Sequence, residues 1–294
     1  MIIVFGEILL DIFPDYTRIG GAPFNFAFHL HRLGVPVRFV SRVGRDENGE
    51  KIQTFLKTQG FPAADLQIDD DRPTGTVQVT LDSGGSPEFD IRADVAYDNI
   101  DLAPLTESLA ARPPKLFYFG TLAQRTLAAH QRLLSVLGTL SAQTACFYDI
   151  NLRQGAEDPD IVGASLERSR ILKLSEEELH WLQHHFGAPG DMEACLAWLH
   201  KRYDLELIAL TFGAEGSLLS TTAGITRGGP APVTAVVDAV GAGDAYAALL
   251  AYGYLQKWPL SQILERATAF AAEICRLPGA VPTDADTDVY AAFS

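Results

Sequence analysis

The chain has 294 residues, 47% of them hydrophobic, and a formal net charge of −14. That length suits one large α/β domain or two smaller ones, with a substantial core in either case. The charge argues against nucleic acid or an anionic membrane surface as partner, so any phosphate must be held locally by backbone amides, a few cations and a bound metal.

The first residues, Met1-Ile2-Ile3-Val4-Phe5, are apolar but carry no basic leader, and Glu7 and Asp11 interrupt them at once. They read as a buried strand over Ile2–Gly6, not a signal peptide. A helix-like run follows at Phe24–Leu33, then a strand at Val37–Val43 and a helix at Gly49–Gln59. Thr76–Leu81 alternates with period two, turns at Asp82-Ser83-Gly84-Gly85 and returns as Glu88–Arg92. That is a hairpin with no helix close behind it. It is either an ordinary edge hairpin or a lid that excludes water from a substrate site.

Strands read next at Leu116–Phe119, Ala145–Asp149, Ile171–Leu174, Leu207–Thr211 and Val233–Val237. Helical patterns lie between or after them at Leu127–Leu140, Glu176–His184, Met192–Arg202 and Ala245–Leu255. The alternation indicates a mostly parallel sheet covered on both faces. The longest apolar run, Ala245 to Leu255, is too short to span a bilayer. Cys146, Cys195 and Cys275 are far apart and odd in number, which suggests small buried hydrophobes, not a disulfide framework or zinc site. His180 and His184 share a helix face but lack a third ligand, and read as a solvated surface. A cytoplasmic enzyme fits this profile.

The turn Gly241-Ala242-Gly243-Asp244 carries the most information. Two glycines and an alanine ahead of a helix leave backbone N–H groups uncovered at a positive helix terminus, which can hold a phosphate. An acid there repels a phosphate, unless Asp244 must take a proton from an incoming nucleophile. The plain alternative is that Asp244 caps the helix. A dinucleotide fingerprint fails because Tyr246 stands where a third glycine is required, and the chain contains no Gly-Lys pair for a Walker loop.

Taken together, several motifs resemble the ribokinase family of sugar and nucleoside kinases, and the resemblance covers nearly the full length. Gly6-Glu7-Ile8-Leu9-Leu10-Asp11 resembles the family's first strand, whose terminal acid grips sugar hydroxyls. Gly20-Gly21-Ala22-Pro23-Phe24-Asn25-Phe26-Ala27 resembles the N-terminal signature, in which the glycines admit the sugar and the asparagine bonds a hydroxyl. Val43-Gly44-Arg45-Asp46-Glu47-Asn48-Gly49 and Pro73-Thr74-Gly75-Thr76 resemble the turn that follows and the entry to the lid. Asp149-Ile150-Asn151-Leu152-Arg153 and Lys173-Leu174-Ser175-Glu176-Glu177-Glu178-Leu179 are similar to segments of fructokinase-like members. Thr211-Phe212-Gly213-Ala214-Glu215-Gly216 resembles the nucleotide-side turn, and Asp238 through Asp244 the C-terminal signature, with Ala239 and Val240 in place of its two threonines.

The resemblance implies a single ribokinase-like domain over 1–294, with a small β-lid from about 12–18 and 73–98. It implies transfer of the γ-phosphoryl group of ATP, with Mg²⁺, to a sugar's primary hydroxyl, most readily that of D-fructose. Ribose, 2-keto-3-deoxygluconate and nucleosides are the alternatives, and a non-catalytic sensor of the same fold is a further one. Asp244 is then the base on the catalytic turn with Gly241, Ala242 and Gly243, and the amides of Ala242, Gly243 and Asp244 stabilise charge on the moving phosphoryl group. Asp11, Gly20, Gly21 and Asn25 hold the sugar, and Arg153, Ser175, Glu178, Thr211, Gly213 and Gly216 face the nucleotide. Glu178 organises magnesium through water, and Asp238 is a candidate ligand for potassium. A homodimer is a further expectation.

Overall fold

In the first strand, Ile2 and Val4 enter one apolar layer, while Ile3 and Phe5 enter another. That demand is met only by a strand covered by helices on both faces. A computed structural model of the protein describes residues 1–81, 87–230, 236–282 and 288–293.

In chain order the strands are β1 (Ile2–Phe5), β2 (Leu9–Ile12), β3 (Thr17–Gly20), β4 (Val37–Gly44), β5 (Leu66–Asp69), β6 (Thr76–Leu81), β7 (Pro87–Ile91), β8 (Leu116–Gly120), β9 (Ala145–Asp149), β10 (Ile171–Ser175), β11 (Leu207–Thr211), β12 (Ser217–Thr221) and β13 (Gly224–Gly228). The helices are α1 (Ala22–Arg32), α2 (Glu47–Thr58), α3 (Ala103–Ala111), α4 (Leu127–Leu137), α5 (Pro159–Leu166), α6 (Glu176–Phe186), α7 (Met192–Tyr203), α8 (Ala242–Leu255), α9 (Leu260–Ile274) and α10 (Asp288–Ala291).

The large sheet runs β13-β12-β11-β10-β9-β8-β1-β4-β5, parallel from β11 to β5, with β12 and β13 added antiparallel at one edge. Side chains from α1, α2, α8 and α9 fill one apolar layer, and those from α4, α5, α6 and α7 fill the other. Helix α8 is apolar nearly all round because it lies between α1 and α9, with Ala245 through Ala251 all buried. After β1 the chain moves to β4 on one side and later returns to β8 on the other. The gap between the ends of β1 and β8 is thus the switch point where α/β sheets take ligands.

A second sheet, β3-β2-β6-β7, stands apart from the first. The expected hairpin is its β6–β7 pair, with Val77 opposite Ile91, and the turn proper lies outside the described residues. The Asp46 carboxylate knots this sheet to the large one. It accepts from the N–H groups of Gly49 and Thr74 (both 2.8 Å) and from the Thr74 hydroxyl (2.6 Å), so two of the sequence motifs meet at one acid.

Two expectations are corrected. Asp11 does not end the first strand: β1 stops at Phe5, and Asp11 lies on β2 of the small sheet. The expected strand over Val233–Val237 falls partly outside the described residues, and its last two residues are not in a strand. Val236 and Val237 are each 62% exposed, and the Val237 N–H donates to the Cys275 carbonyl (2.8 Å), not to a sheet neighbour. Cys275 is also only half-buried, unlike Cys146 and Cys195.

Candidate active site

A cavity of about 330 Å³ opens at the switch point. Its floor includes Glu7, just after β1, and the first turn of α8, with Gly241, Gly243 and Asp244. Asn25 of α1 and Lys173 of β10 complete that side, and Asp11, Val77 and Ile91 of the small sheet form the facing wall. One residue from each strand of the β6–β7 hairpin therefore lines the cavity.

Asp244 is not a helix cap. Gly241 holds the capping position in a left-handed conformation (φ 82°) with no side-chain bond to the helix, and Asp244 lies in the first turn. A Cβ at Gly241 would come within 2.2 Å of the Ala280 Cβ, so glycine is required by contact as well as by conformation. The first turn of a helix leaves amides without intrahelical partners. Here the Ala242 N–H is already used, donating to the Ala239 carbonyl (3.3 Å), and Ala242 does not line the cavity, whereas Gly243 and Asp244 do.

The Asp244 carboxylate accepts one hydrogen bond from the Asn25 amide (2.8 Å). Burial pushes its pKa up to about 6, while the Asn25 bond, Lys173 and Arg153 pull against that rise. An acid titrating there is ionised at neutral pH yet close enough to the operating pH to exchange a proton. Asp11 is raised to about 6 by burial, opposed by Arg153 and Arg18. Gly20 makes room for it, since a Cβ there would lie 2.6 Å from Asp11 Oδ2, and at Gly21 (φ 111°) a Cβ would strike the Glu7 carbonyl at 2.6 Å.

Glu7 and Lys173 were not among the residues given a role from the sequence. Glu7 is 3% exposed, its Oε2 has no protein partner, and burial raises its pKa to about 7. The signal was present: an acid placed directly after a buried strand. Lys173 interrupts the apolar run of β10 and is buried. Its ammonium bonds both oxygens of Asp149 (2.9 and 3.1 Å), and Tyr118 donates to the same carboxylate (3.1 Å). Burial alone would lower the Lys173 pKa; Asp149, Glu178 and Asp244 outweigh it and raise it. A positive charge is thus held permanently beside Gly243, where a Cβ would lie 3.5 Å from Nζ.

Apart from Arg153, the residues expected on the nucleotide side gather along the carboxyl edge of the large sheet, outside this cavity. Ser175 and Thr211 are register partners at the ends of β10 and β11. Ser175 caps α6, and Glu178 closes the capping box; its two oxygens accept from the N–H groups of Ser175 (2.7 Å) and Leu152 (2.8 Å). Gly213 and Gly216 flank a 3-10 turn, and a Cβ at Gly216 would lie 2.7 Å from the Gly228 carbonyl. Gly228 in turn lines a second hollow of about 390 Å³, between β13 and α9. Arg153 lines the main cavity, facing Glu7, Asp11 and Asp244 as a cation.

The potassium site expected at Asp238 is not assembled. Its carboxylate is met by the Arg18 guanidinium and by the N–H groups of Gly279 (3.1 Å) and Val240 (3.0 Å), so these residues do not fit a resident monovalent ion. Among the described residues no three His, Cys, Asp or Glu side chains group to hold a metal directly. No helix among them is long and apolar enough to cross a membrane.

Comparison with known proteins places this geometry. A family model for pfkB family carbohydrate kinases matches residues 16–287. The chain is 29% identical over 306 residues to the fructokinase of Salmonella typhimurium, covering 96% of this chain and 92% of that one. It is 30% identical over 273 residues to the fructokinase of Klebsiella pneumoniae, covering 85% and 83%. A sugar kinase of Pyrococcus horikoshii, crystallised with ATP, superposes with a TM-score of 0.82 at 25% identity, covering 99% of this chain and 100% of that one. The Xylella fastidiosa fructokinase with bound ATP (TM-score 0.80, 21% identity, 99% and 98% covered) shares the fold, which is ribokinase-like. The chain belongs to the pfkB family of carbohydrate kinases, the enzymes that move a phosphoryl group onto a sugar.

Proposed function

We propose that this kinase transfers the γ-phosphoryl group of ATP to a primary hydroxyl of D-fructose, giving fructose 6-phosphate. The observation that carries the reaction type is Asp244, a half-buried acid with pKa about 6 on the amide-rich end of α8, at the base of the cavity. The fructokinase names of the relatives support the sugar.

The sugar lies between the two sheets, its hydroxyls bonded by Asp11 and by the free Asn25 oxygen, with its reacting hydroxyl against Asp244. Asp244 takes the hydroxyl proton as the new O–P bond forms. The Gly243 and Asp244 amides and the Lys173 ammonium stabilise charge on the phosphoryl oxygens. The nucleotide runs along the carboxyl edge of the sheet, past Ser175 and Thr211, and its base reaches the hollow beside Gly216. Glu178, half-buried and fixed by two backbone bonds, is the residue that would face, through water, a magnesium ion bound with the phosphates, and such an ion would supply charge neutralisation there.

The test is ADP release, coupled to an indicator reaction, over fructose, glucose, ribose, 2-keto-3-deoxygluconate and adenosine. Fructose should show the highest kcat/KM. A rival above it overturns the sugar, and no turnover with any acceptor favours the sensor.

A further inference from the structure

Arg18 sits on β3 of the small sheet and reaches across to the segment that leads into α8. Its guanidinium pairs with Asp238 Oδ2, which also accepts the Gly279 N–H, while Oδ1 accepts the Val240 N–H. Gly279 (φ 86°) is the position that lets the arginine through, since a Cβ there would lie 3.3 Å from Arg18 Cδ and 3.5 Å from its Nη1. The rings of Tyr16 and Phe13 flank the guanidinium at 4.7 and 5.7 Å. The N–H groups of Val237 and Asp238 both donate to the Cys275 carbonyl. The approach to Gly241 is therefore held from three sides, and among the described residues its one charged tie comes from the small sheet that walls the cavity.

We propose that Arg18 is a positioning residue that serves as the built-in cation of the catalytic turn, so that turnover requires no monovalent ion. Two physical effects follow from its place. It neutralises a carboxylate that would otherwise stand just ahead of an anion-binding turn, in a chain already carrying a net charge of −14. It also fixes the turn before the phosphates arrive, so the Gly243 and Asp244 amides need not reorganise during transfer. An exposed ion pair generally does little. This one differs because its carboxylate is also saturated by two backbone N–H groups and its arginine is threaded past a glycine. The kinetic part of the proposal rests on the kinase reading above; the structural part does not.

The experiment compares wild type with Arg18→Ala, Arg18→Lys and Asp238→Asn. Hydrogen exchange, read without any substrate, should speed up in peptides spanning 236–244 in Arg18→Ala and Asp238→Asn, and stay near wild type in Arg18→Lys. With the best acceptor, Arg18→Ala should lose on the order of tenfold or more in kcat with little change in sugar KM, as expected for a group acting on the transition state alone. Millimolar guanidinium or potassium should restore part of that loss in Arg18→Ala. Wild-type rates should be equal in potassium and in tetramethylammonium at constant ionic strength. A wild-type rate that rises severalfold with potassium overturns the proposal, as does an Arg18→Ala protein with wild-type exchange and kcat. If no acceptor is turned over, the kinase reading fails and the exchange data alone decide whether Arg18 holds the turn. If Arg18→Ala does not fold, Arg18→Lys and Asp238→Asn carry the same comparison.

Discussion

Asn25 Nδ2 donates to Asp244 Oδ2 at 2.8 Å, joining α1, the first helix of the chain, to α8. An ionised carboxylate only accepts, so the asparagine must turn its NH₂ toward Asp244. Its Oδ1, which has no protein partner, is thereby left for a substrate hydroxyl. On the proposed reading, one amide orients the base and the acceptor together.

Asp244→Asn keeps shape and removes basicity. We expect kcat to fall by roughly 10²–10⁴, the usual worth of a positioned base, with sugar KM little changed. Steady-state kinetics on the folded variant decide it, and near-native turnover would remove Asp244 from the base role.

Asn25→Asp replaces the donor with a second acid against Asp244. Like charges at that range push one pKa strongly upward. The base must be ionised to work, so the acid limb of kcat/KM, expected near pH 6 in wild type from the Asp244 value, should move to higher pH. Asn25→Ala should move it the same way by less, because only the hydrogen bond that lowers the pKa is lost. A limb unmoved in both variants would assign it to another group.

Glu7 ties stability to pH. Its pKa in the folded protein is about 7 against an ordinary 4.5, so the folded state holds its proton more tightly than the unfolded one. Between those values stability falls as pH rises, and above pH 7 ionising the buried group costs about 3 kcal/mol, at 1.36 kcal/mol per pH unit. Glu7→Gln should therefore raise the melting temperature of the ligand-free protein at pH 8 but not at pH 4. An equal change at both pH values would mean that packing, not charge, governs the site.

Lys173→Met leaves Asp149 buried, with Tyr118 as its one remaining side-chain donor. Breaking a buried pair from one side typically costs 3–5 kcal/mol. The double variant Lys173→Met/Asp149→Asn should recover part of that loss in urea titrations. Additive losses would show that the two residues do not act as a pair.

Much of this protein was legible from sequence alone. Apolar runs broken by turn residues marked β1, β4, β8 through β11 and the hairpin, and their alternation with helices dictated a parallel sheet covered on both faces. Gly241 and Gly243 marked a glycine-rich turn ahead of α8 because backbone exposure is a local property, written in residues that lack side chains. Helix α9 was not read from the sequence, although Leu260, Ile263, Leu264, Ala267, Phe270 and Ile274 follow a helical period.

What the tertiary structure decided was pairing. Val236 and Val237 favour a strand by propensity, yet they run beside Cys275 instead, because β-propensity reports a fit to a pleated surface and cannot say whether one is present. The partners Asn25 and Asp244 stand 219 residues apart, and Arg18 and Asp238 stand 220 apart. A hydrophobic pattern determines which face of an element is buried, but it does not determine which polar side chain on another element will meet it. Asp244, Asn25, Arg18 and Asp238 came together only when packing brought the small sheet, α1 and α8 to the same end of β1.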